Sequence, residues 1–256
     1  MQADLSVTGA ATRIEGPLLF LRRTLNVGLN EAVEVIGADG RARLGRISAL
    51  DEEFMVIEVL ESTEGLSPST ARVRFFGEPL HFPLGAEVLG RIFNGVGQVI
   101  DGGPPVAAER RLRIEGLAIN PAARADPRDF IETGISTIDL MNSLVRGQKL
   151  PIFSGGGLPH DRIAIEVAQN AHLRSGEELS FAIVFVGIGV PHDTAESFRR
   201  AMESSGALEH TVMFLNLASD SSVQRLLTPR FALTAAEYLA FFVGKHVLVV
   251  MTDMTN

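Results

Sequence analysis

Short, uniformly apolar runs separated by helical patterns constrain this chain more than any other feature. Residues 181–187 and 247–252 are almost unbroken runs of Val, Ile, Leu, Phe, Ala and Met. Residues 149–154 and 212–217 are shorter examples. Between them, residues 158–174 carry Ile163, Val167, Ala168 and Ala171 at helical spacing. Residues 194–204 predict a second helix with Asp193 or Thr194 as its cap. Thr228-Pro229 is expected to open a third, reaching about residue 243, because proline suits a first helical turn. A strand that is apolar on both faces must be covered on both faces. The pattern therefore predicts an α/β fold with a mainly parallel sheet.

The first ~80 residues read differently, as short strands at the spacing of a small barrel. Residues 12–14 and 18–22 flank Gly16-Pro17, and residues 33–35 alternate apolar and charged side chains. Asp39-Gly40 signals a hairpin into residues 41–50. Asp51-Glu52-Glu53 turns into residues 54–60, and residues 71–76 make about a sixth strand. Three segments follow: a β-barrel over residues 1–82, an irregular Gly/Pro-rich connection over 83–132, and an incomplete α/β domain over 133–256.

Composition removes several classes of function. The chain has 256 residues and no cysteine, so disulfide frameworks, thiolate zinc sites and cysteine nucleophiles are excluded. Its 23 basic and 31 acidic residues give a net charge of −8, which argues against a nucleic-acid partner. No apolar run approaches the ~20 residues that cross a bilayer. Residues 1–11 lack a basic start followed by an apolar stretch, so no secretory signal is expected. These features predict a cytoplasmic protein.

In open α/β sheets ligands bind beyond the carboxyl ends of the strands. At the first such place stand Ser154, Gly155, Gly156, Gly157, Leu158, Pro159 and His160. A strand, glycines and a helix form the scaffold of a phosphate loop, whose backbone N–H groups cradle an anion. A working loop also has a lysine and a hydroxyl after its last glycine. Here Leu158 and Pro159 hold those positions, and Ile152 stands where the first glycine belongs. The loop is degenerate, and a plain tight turn with Pro159 starting the helix is the competing reading. Asp253 ends an apolar run, where such folds hold Mg²⁺ through a carboxylate. The alternative is a loop aspartate capping the next stretch of chain.

Leu158-Pro159-His160-Asp161 and Val190-Pro191-His192-Asp193 repeat one local pattern. If the preceding strands are neighbours, His160, Asp161, His192 and Asp193 converge as metal ligands; solvated helix starts are the alternative. Arg225 and Arg230 flank Thr228-Pro229 and are candidates for contact with a neighbouring subunit. Ser221 and Ser222 lie in no nucleophile elbow.

Several ordered motifs resemble the non-catalytic B (beta) subunits of V-type/A-type rotary ATPases. They are Arg91-Ile-Phe-Asn-Gly95, Ile100-Asp-Gly-Gly-Pro104, Gly134-Ile-Ser136, Ile138-Asp139 and residues 144–155. Gly157-Leu-Pro-His160, residues 214–218, Thr228-Pro-Arg230, residues 236–239 and residues 247–256 continue the series. The resemblance covers nearly the whole chain in order and is weakest in the barrel.

That resemblance implies an N-terminal β-barrel, a P-loop-type nucleotide-binding α/β domain and a C-terminal helical domain expected beyond residue 256. It implies alternation with catalytic A subunits in a hexameric ring, with central and peripheral stalk subunits. ATP synthesis or hydrolysis would be coupled to proton or sodium transport, and the membrane reached only through the complex, on its cytoplasmic face. This chain would need no cofactor of its own; ATP or ADP with Mg²⁺ belongs to the A–B interface. Val190 follows Gly189 where catalytic relatives carry a water-positioning glutamate. With Leu158 and Pro159, this predicts no ATPase activity by the chain alone. Where the family reads Asn-Glu, this chain has Asp161-Arg162, and Pro191-His192-Asp193 replaces Asn-Met-Glu. The arginine that reaches into the A site is expected downstream. The alternatives are a truncated paralogue that binds nucleotide or protein without turnover, and a stand-alone ring NTPase.

Overall fold

Alternating and uniform apolar patterns produce two different sheets. The computed structural model describes residues 5–8, 11–123, 126, 128–173 and 181–254. The chain divides into two compact units, Met1–Phe82 with Ser219–Leu227 and Pro83–Ala218 with Thr228–Asn256.

The first unit contains β1 (Leu5–Thr8), β2 (Ala11–Glu15), β3 (Leu18–Arg22), β4 (Glu31–Ile36), β5 (Ala42–Leu50), β6 (Phe54–Val59) and β7 (Arg72–Pro79). Among the described residues these form one seven-stranded sheet, in the order β1-β7-β4-β5-β6-β3-β2. Its two outermost strands, β1 and β2, follow one another directly in the chain, so its edges are tethered together. Alternate residues point inward. β6 buries Met55, Ile57 and Val59, and β3 buries Leu19 and Leu21. These pack with Val33, Val35, Ile47, Val73 and Phe75 into a single interior, as a rolled sheet requires. Each such side chain contributes about 1.5–3 kcal/mol on burial.

The Asp39-Gly40 turn joins β4 to β5, with Gly40 at φ 71°. Arg43, only 3% exposed, secures it. Its guanidinium donates to Asp39 Oδ1 and Oδ2 at 3.2 and 2.7 Å, and to the carbonyls of Ser62 and Glu64 at 2.8 and 3.1 Å. The Arg43 guanidinium holds the pKa of the Asp39 carboxyl down to about 2. Nothing in the strand pattern announces this buried charge.

β8 (His81–Leu84) leads into the second unit, which continues with β9 (Ile92–Asn94), β10 (Arg110–Arg113), β11 (Phe130–Glu132), α1 (Ser136–Met141), β12 (Leu144–Val145), α2 (His160–Asn170), β13 (His172–Leu173), β14 (Phe181–Val190), α3 (His192–Ser205) and β15 (Thr211–Leu217). α4 (Ser222–Phe241) and β16 (His246–Thr252) complete the elements. The main sheet is parallel, in the order β16-β14-β15-β9. β14 is central and buried along nearly its whole length, which is why its sequence is uniformly apolar. Phe185 meets Phe198 of α3 edge to face at 4.9 Å, and Phe93 of β9 stacks on Phe214 of β15 at 5.2 Å. β16 is half-buried along most of its length and has β14 as its one strand neighbour among the described residues.

Several expectations need correction. Residues 149–154 form no strand; they are mostly exposed, and Phe153 is 90% exposed. Among the described residues no strand of the main sheet pairs with them, so they lack the neighbour that would make them one. α4 begins at Ser222, not Thr228, because Val223 and Leu227 bury an earlier turn. Pro229 therefore lies inside the helix and removes one hydrogen-bond rung. α3 starts at His192 with Pro191 at its cap and no side-chain cap bond, so Asp193 sits in the first turn. α2 runs from His160 to Asn170, shorter than expected, and residue 174 lies outside the described residues.

The Gly/Pro-rich segment holds a strand, β9, in parallel register with β15. Polar bonds fix the chain around it. Arg91 makes a two-pronged ion pair with Asp101 at 2.7 and 3.0 Å and donates to the Pro104 carbonyl at 2.7 Å. Asp101 also accepts from the Ile92 and Gly103 amides. Asn94 Oδ1 accepts from the Val96 and Gln98 amides, closing the turn.

Candidate functional site

The carboxyl ends of β14 and β16 and the start of α2 carry the residues that matter. Ser154 to Pro159 are exposed, and the chain there folds on itself. The Leu158 amide donates to the Gly155 carbonyl at 3.2 Å, and the His160 amide to the Leu158 carbonyl at 2.9 Å. Those N–H groups are directed at the loop's own carbonyls, whereas an anion cradle needs them directed outward. Gly157, at φ 82°, is the glycine the turn requires; a Cβ on Gly156 meets nothing within 4 Å. Leu158 and Pro159 put aliphatic groups where a phosphate loop has its cation and hydroxyl.

His160, the first residue of α2, meets Asp253, the first residue after β16. His160 Nε2 lies 3.5 Å from Asp253 Oδ1 and 3.6 Å from Asp161 Oδ1. On its other side Nδ1 lies 3.0 Å from the Leu158 carbonyl and 3.1 Å from Ser154 Oγ. Asp253 is in the left-handed region, at φ 56°. Asp161 Oδ1 is shielded from solvent and accepts no hydrogen bond. One potential ligand atom each from His160, Asp161 and Asp253 lies within 4.8 Å of the others.

The convergence of His160 and Asp161 with His192 and Asp193, which required neighbouring strands before each pair, does not form among the described residues, where residues 149–154 are not a strand. Asp253 takes the place of His192 and Asp193, because the neighbour of β14 on that side is β16. His192 and Asp193 are exposed on the first turn of α3, beside a hollow also lined by Glu196 and Arg200. Val190, in the position of the missing glutamate, is fully buried at the end of β14. Arg225 is half-buried in the first unit, and Arg230 is exposed in the second.

Asn216, at the end of β15, opens a segment beyond a strand's carboxyl end but is not among the candidate site residues read from the sequence. It is fully buried, and its Oδ1 accepts from the Gly189 amide at 2.9 Å, fixing the turn beyond β14. A polar residue late in an apolar strand was the available signal.

The model of the ATP synthase alpha/beta family, nucleotide-binding domain, matches residues 134–256. The model of the same family's beta-barrel domain matches residues 11–77. The chain is 51% identical over 245 residues to the first B subunit of the A-type ATP synthase of Methanospirillum hungatei, covering 96% of this chain and 53% of that protein. It is 49% identical over 243 residues to the V-type ATP synthase beta chain of Halothermothrix orenii, covering 95% of this chain and 52% of that one. The chain thus spans about half the length of the curated relatives it matches. With its barrel and its nucleotide-binding domain both matched in order, this chain belongs to the ATP synthase alpha/beta family.

Proposed function

We propose that this chain supplies the barrel and the nucleotide-binding fold of a non-catalytic, B-type subunit of an A/V-type ATP synthase. The observation that carries the reading is the turn of residues 155–159, where Leu158 and Pro159 replace the cation and hydroxyl of a phosphate loop. Without them, β/γ-phosphate charge has no counter-cation here and Mg²⁺ has no hydroxyl anchor. The buried Val190 offers no base or water-positioning oxygen. Similarity to two proteins named as B or beta subunits supports the same reading.

In this role the chain acts by assembly. Its partners are catalytic A subunits alternating with B subunits in a hexameric ring, and the stalk subunits. ATP or ADP with Mg²⁺ is held at the A–B interface. The complex couples ATP synthesis or hydrolysis to proton or sodium transport, and the chain stays on the cytoplasmic face, peripheral to the membrane. No helix among the described residues is long and apolar enough to cross one. The exposed Ile152, Phe153 and Leu158 are apolar surface suited to a partner.

Two measurements on the purified chain test this. Co-purification with a catalytic A subunit is expected, with a full-length B subunit as positive control; no association overturns the reading. ATPase assays are expected to show no turnover above background. Turnover abolished by Asp253→Ala would instead make the chain an enzyme.

A further inference from the structure

We propose that His160, Asp161 and Asp253 form a binding site for one divalent cation of the Zn²⁺ class, held without nucleotide. The imidazole sets the geometry. His160 Nδ1 lies 3.0 Å from the Leu158 carbonyl oxygen and 3.1 Å from Ser154 Oγ, and the tautomer with its proton on Nδ1 makes the first of these a hydrogen bond. In neutral imidazole the Nε2 lone pair then points away from that bond. It faces Asp161 Oδ1 at 3.6 Å and Asp253 Oδ1 at 3.5 Å. One ligand atom from each of the three residues thus lies within 4.8 Å of the other two.

The spacing fits a metal. Charge-assisted hydrogen bonds run at about 2.7–2.9 Å, well short of both separations. A tetrahedral cation with bonds of about 2.0–2.2 Å sets its ligand atoms about 3.3–3.6 Å apart. Asp161 Oδ1 is also shielded from water and accepts no hydrogen bond, which is costly for a carboxylate oxygen unless a cation meets it. The Nδ1 contact to a backbone carbonyl is the support that metal-bound histidines ordinarily have, fixing tautomer and ring plane.

The donor set selects the ion. One imidazole nitrogen with two carboxylates suits Zn²⁺, Co²⁺ or Mn²⁺; Mg²⁺ and Ca²⁺ prefer all-oxygen shells. The His160, Asp161 and Asp253 side chains are 36, 37 and 27% exposed, so the ion enters from solvent and keeps a water ligand.

Calorimetric titration of the 256-residue chain with Zn²⁺ tests the site, alongside titration with Co²⁺ followed by visible absorption. One ion per chain is expected, with the intense d–d bands of low-coordinate Co²⁺. Asp161→Asn, Asp253→Asn and His160→Ala should each weaken binding by more than about 100-fold, while circular dichroism stays unchanged. Asp161→Asn is nearly isosteric and half-exposed, so it keeps the test valid if another variant misfolds. His192→Ala should leave binding unchanged. No uptake at millimolar Zn²⁺, uptake that survives Asp161→Asn, or uptake lost in His192→Ala overturns the proposal. The titration involves neither an A subunit nor nucleotide, so its failure and that of the assembly reading are separate results.

Discussion

The two units cover their apolar residues in different ways. In the first, a rolled antiparallel sheet turns every second side chain into one interior that its own strands enclose. In the second, β14 is enclosed on both faces and both edges, but β16 is only half-buried and residues 151–158 lie on the surface with Phe153, Ile152 and Leu158 among them. An antiparallel barrel closes on itself; an open parallel sheet always ends in an edge and depends on what is laid against it. The first arrangement suits a self-sufficient module and the second suits a part that completes something.

On that contrast, core truncation should hurt both units alike and surface truncation neither. Phe198→Ala removes a fully buried ring that α3 packs against β14, and is expected to cost about 3–5 kcal/mol in urea denaturation. Ile57→Ala in the barrel interior should cost about 2–5 kcal/mol. A much smaller loss at Phe198 would mean that the second unit packs loosely on its own. Gly134→Ala is next. Gly134 sits at φ 78° with its Cβ position 2.6 Å from Asn170 Cβ, so a loss of about 1–3 kcal/mol is expected by the same measurement.

Acid titration probes each unit through one ion pair. The Arg91 guanidinium, with the Ile92 and Gly103 amides, holds the pKa of the Asp101 carboxyl down to about 2 from 3.8. A depressed folded pKa means stability that is complete above the unfolded value and lost as pH falls through the folded one. The second unit should therefore lose stability between about pH 4 and 2, and Asp101→Asn should flatten that part of the curve. Tyr238, the single tyrosine, reports on this unit by fluorescence. Asp39→Asn should act in the same window on the first unit and leave the tyrosine signal unmoved. The smallest effect is expected at Phe153→Ala, within about 0.5 kcal/mol. A large loss there would show that residues 151–158 pack against something within the chain.

Much of the fold was legible because burial writes itself into composition. Two-face burial made β14 readable, and one-face burial made β3 to β7 readable. Residues 149–154 are as apolar as a strand, but composition cannot supply the neighbour that would make them one. β9 has three residues, too few for any period to register. The start of α4 was hidden because Ser222, Gln224 and Arg225 surround its buried Val223 and Leu227. The site was half legible. His160 and Asp253 each stood out beside an apolar run, yet their meeting depends on the order β16-β14, which no local pattern encodes. Adjacency in space, not identity of residues, separated Asp253 from His192 and Asp193.

The edge of β16 that has no strand neighbour among the described residues bears on hydrogen exchange. Along a strand, successive residues direct their N–H and C=O groups to opposite edges. β14 has partners on both edges over residues 183–187, so its amides there should resist deuterium. β16 is bonded on one edge among the described residues, so protection along it should alternate, slow at one residue and fast at the next. An NMR exchange series would read that alternation directly, and its disappearance in the presence of another chain would mark the moment the edge is taken.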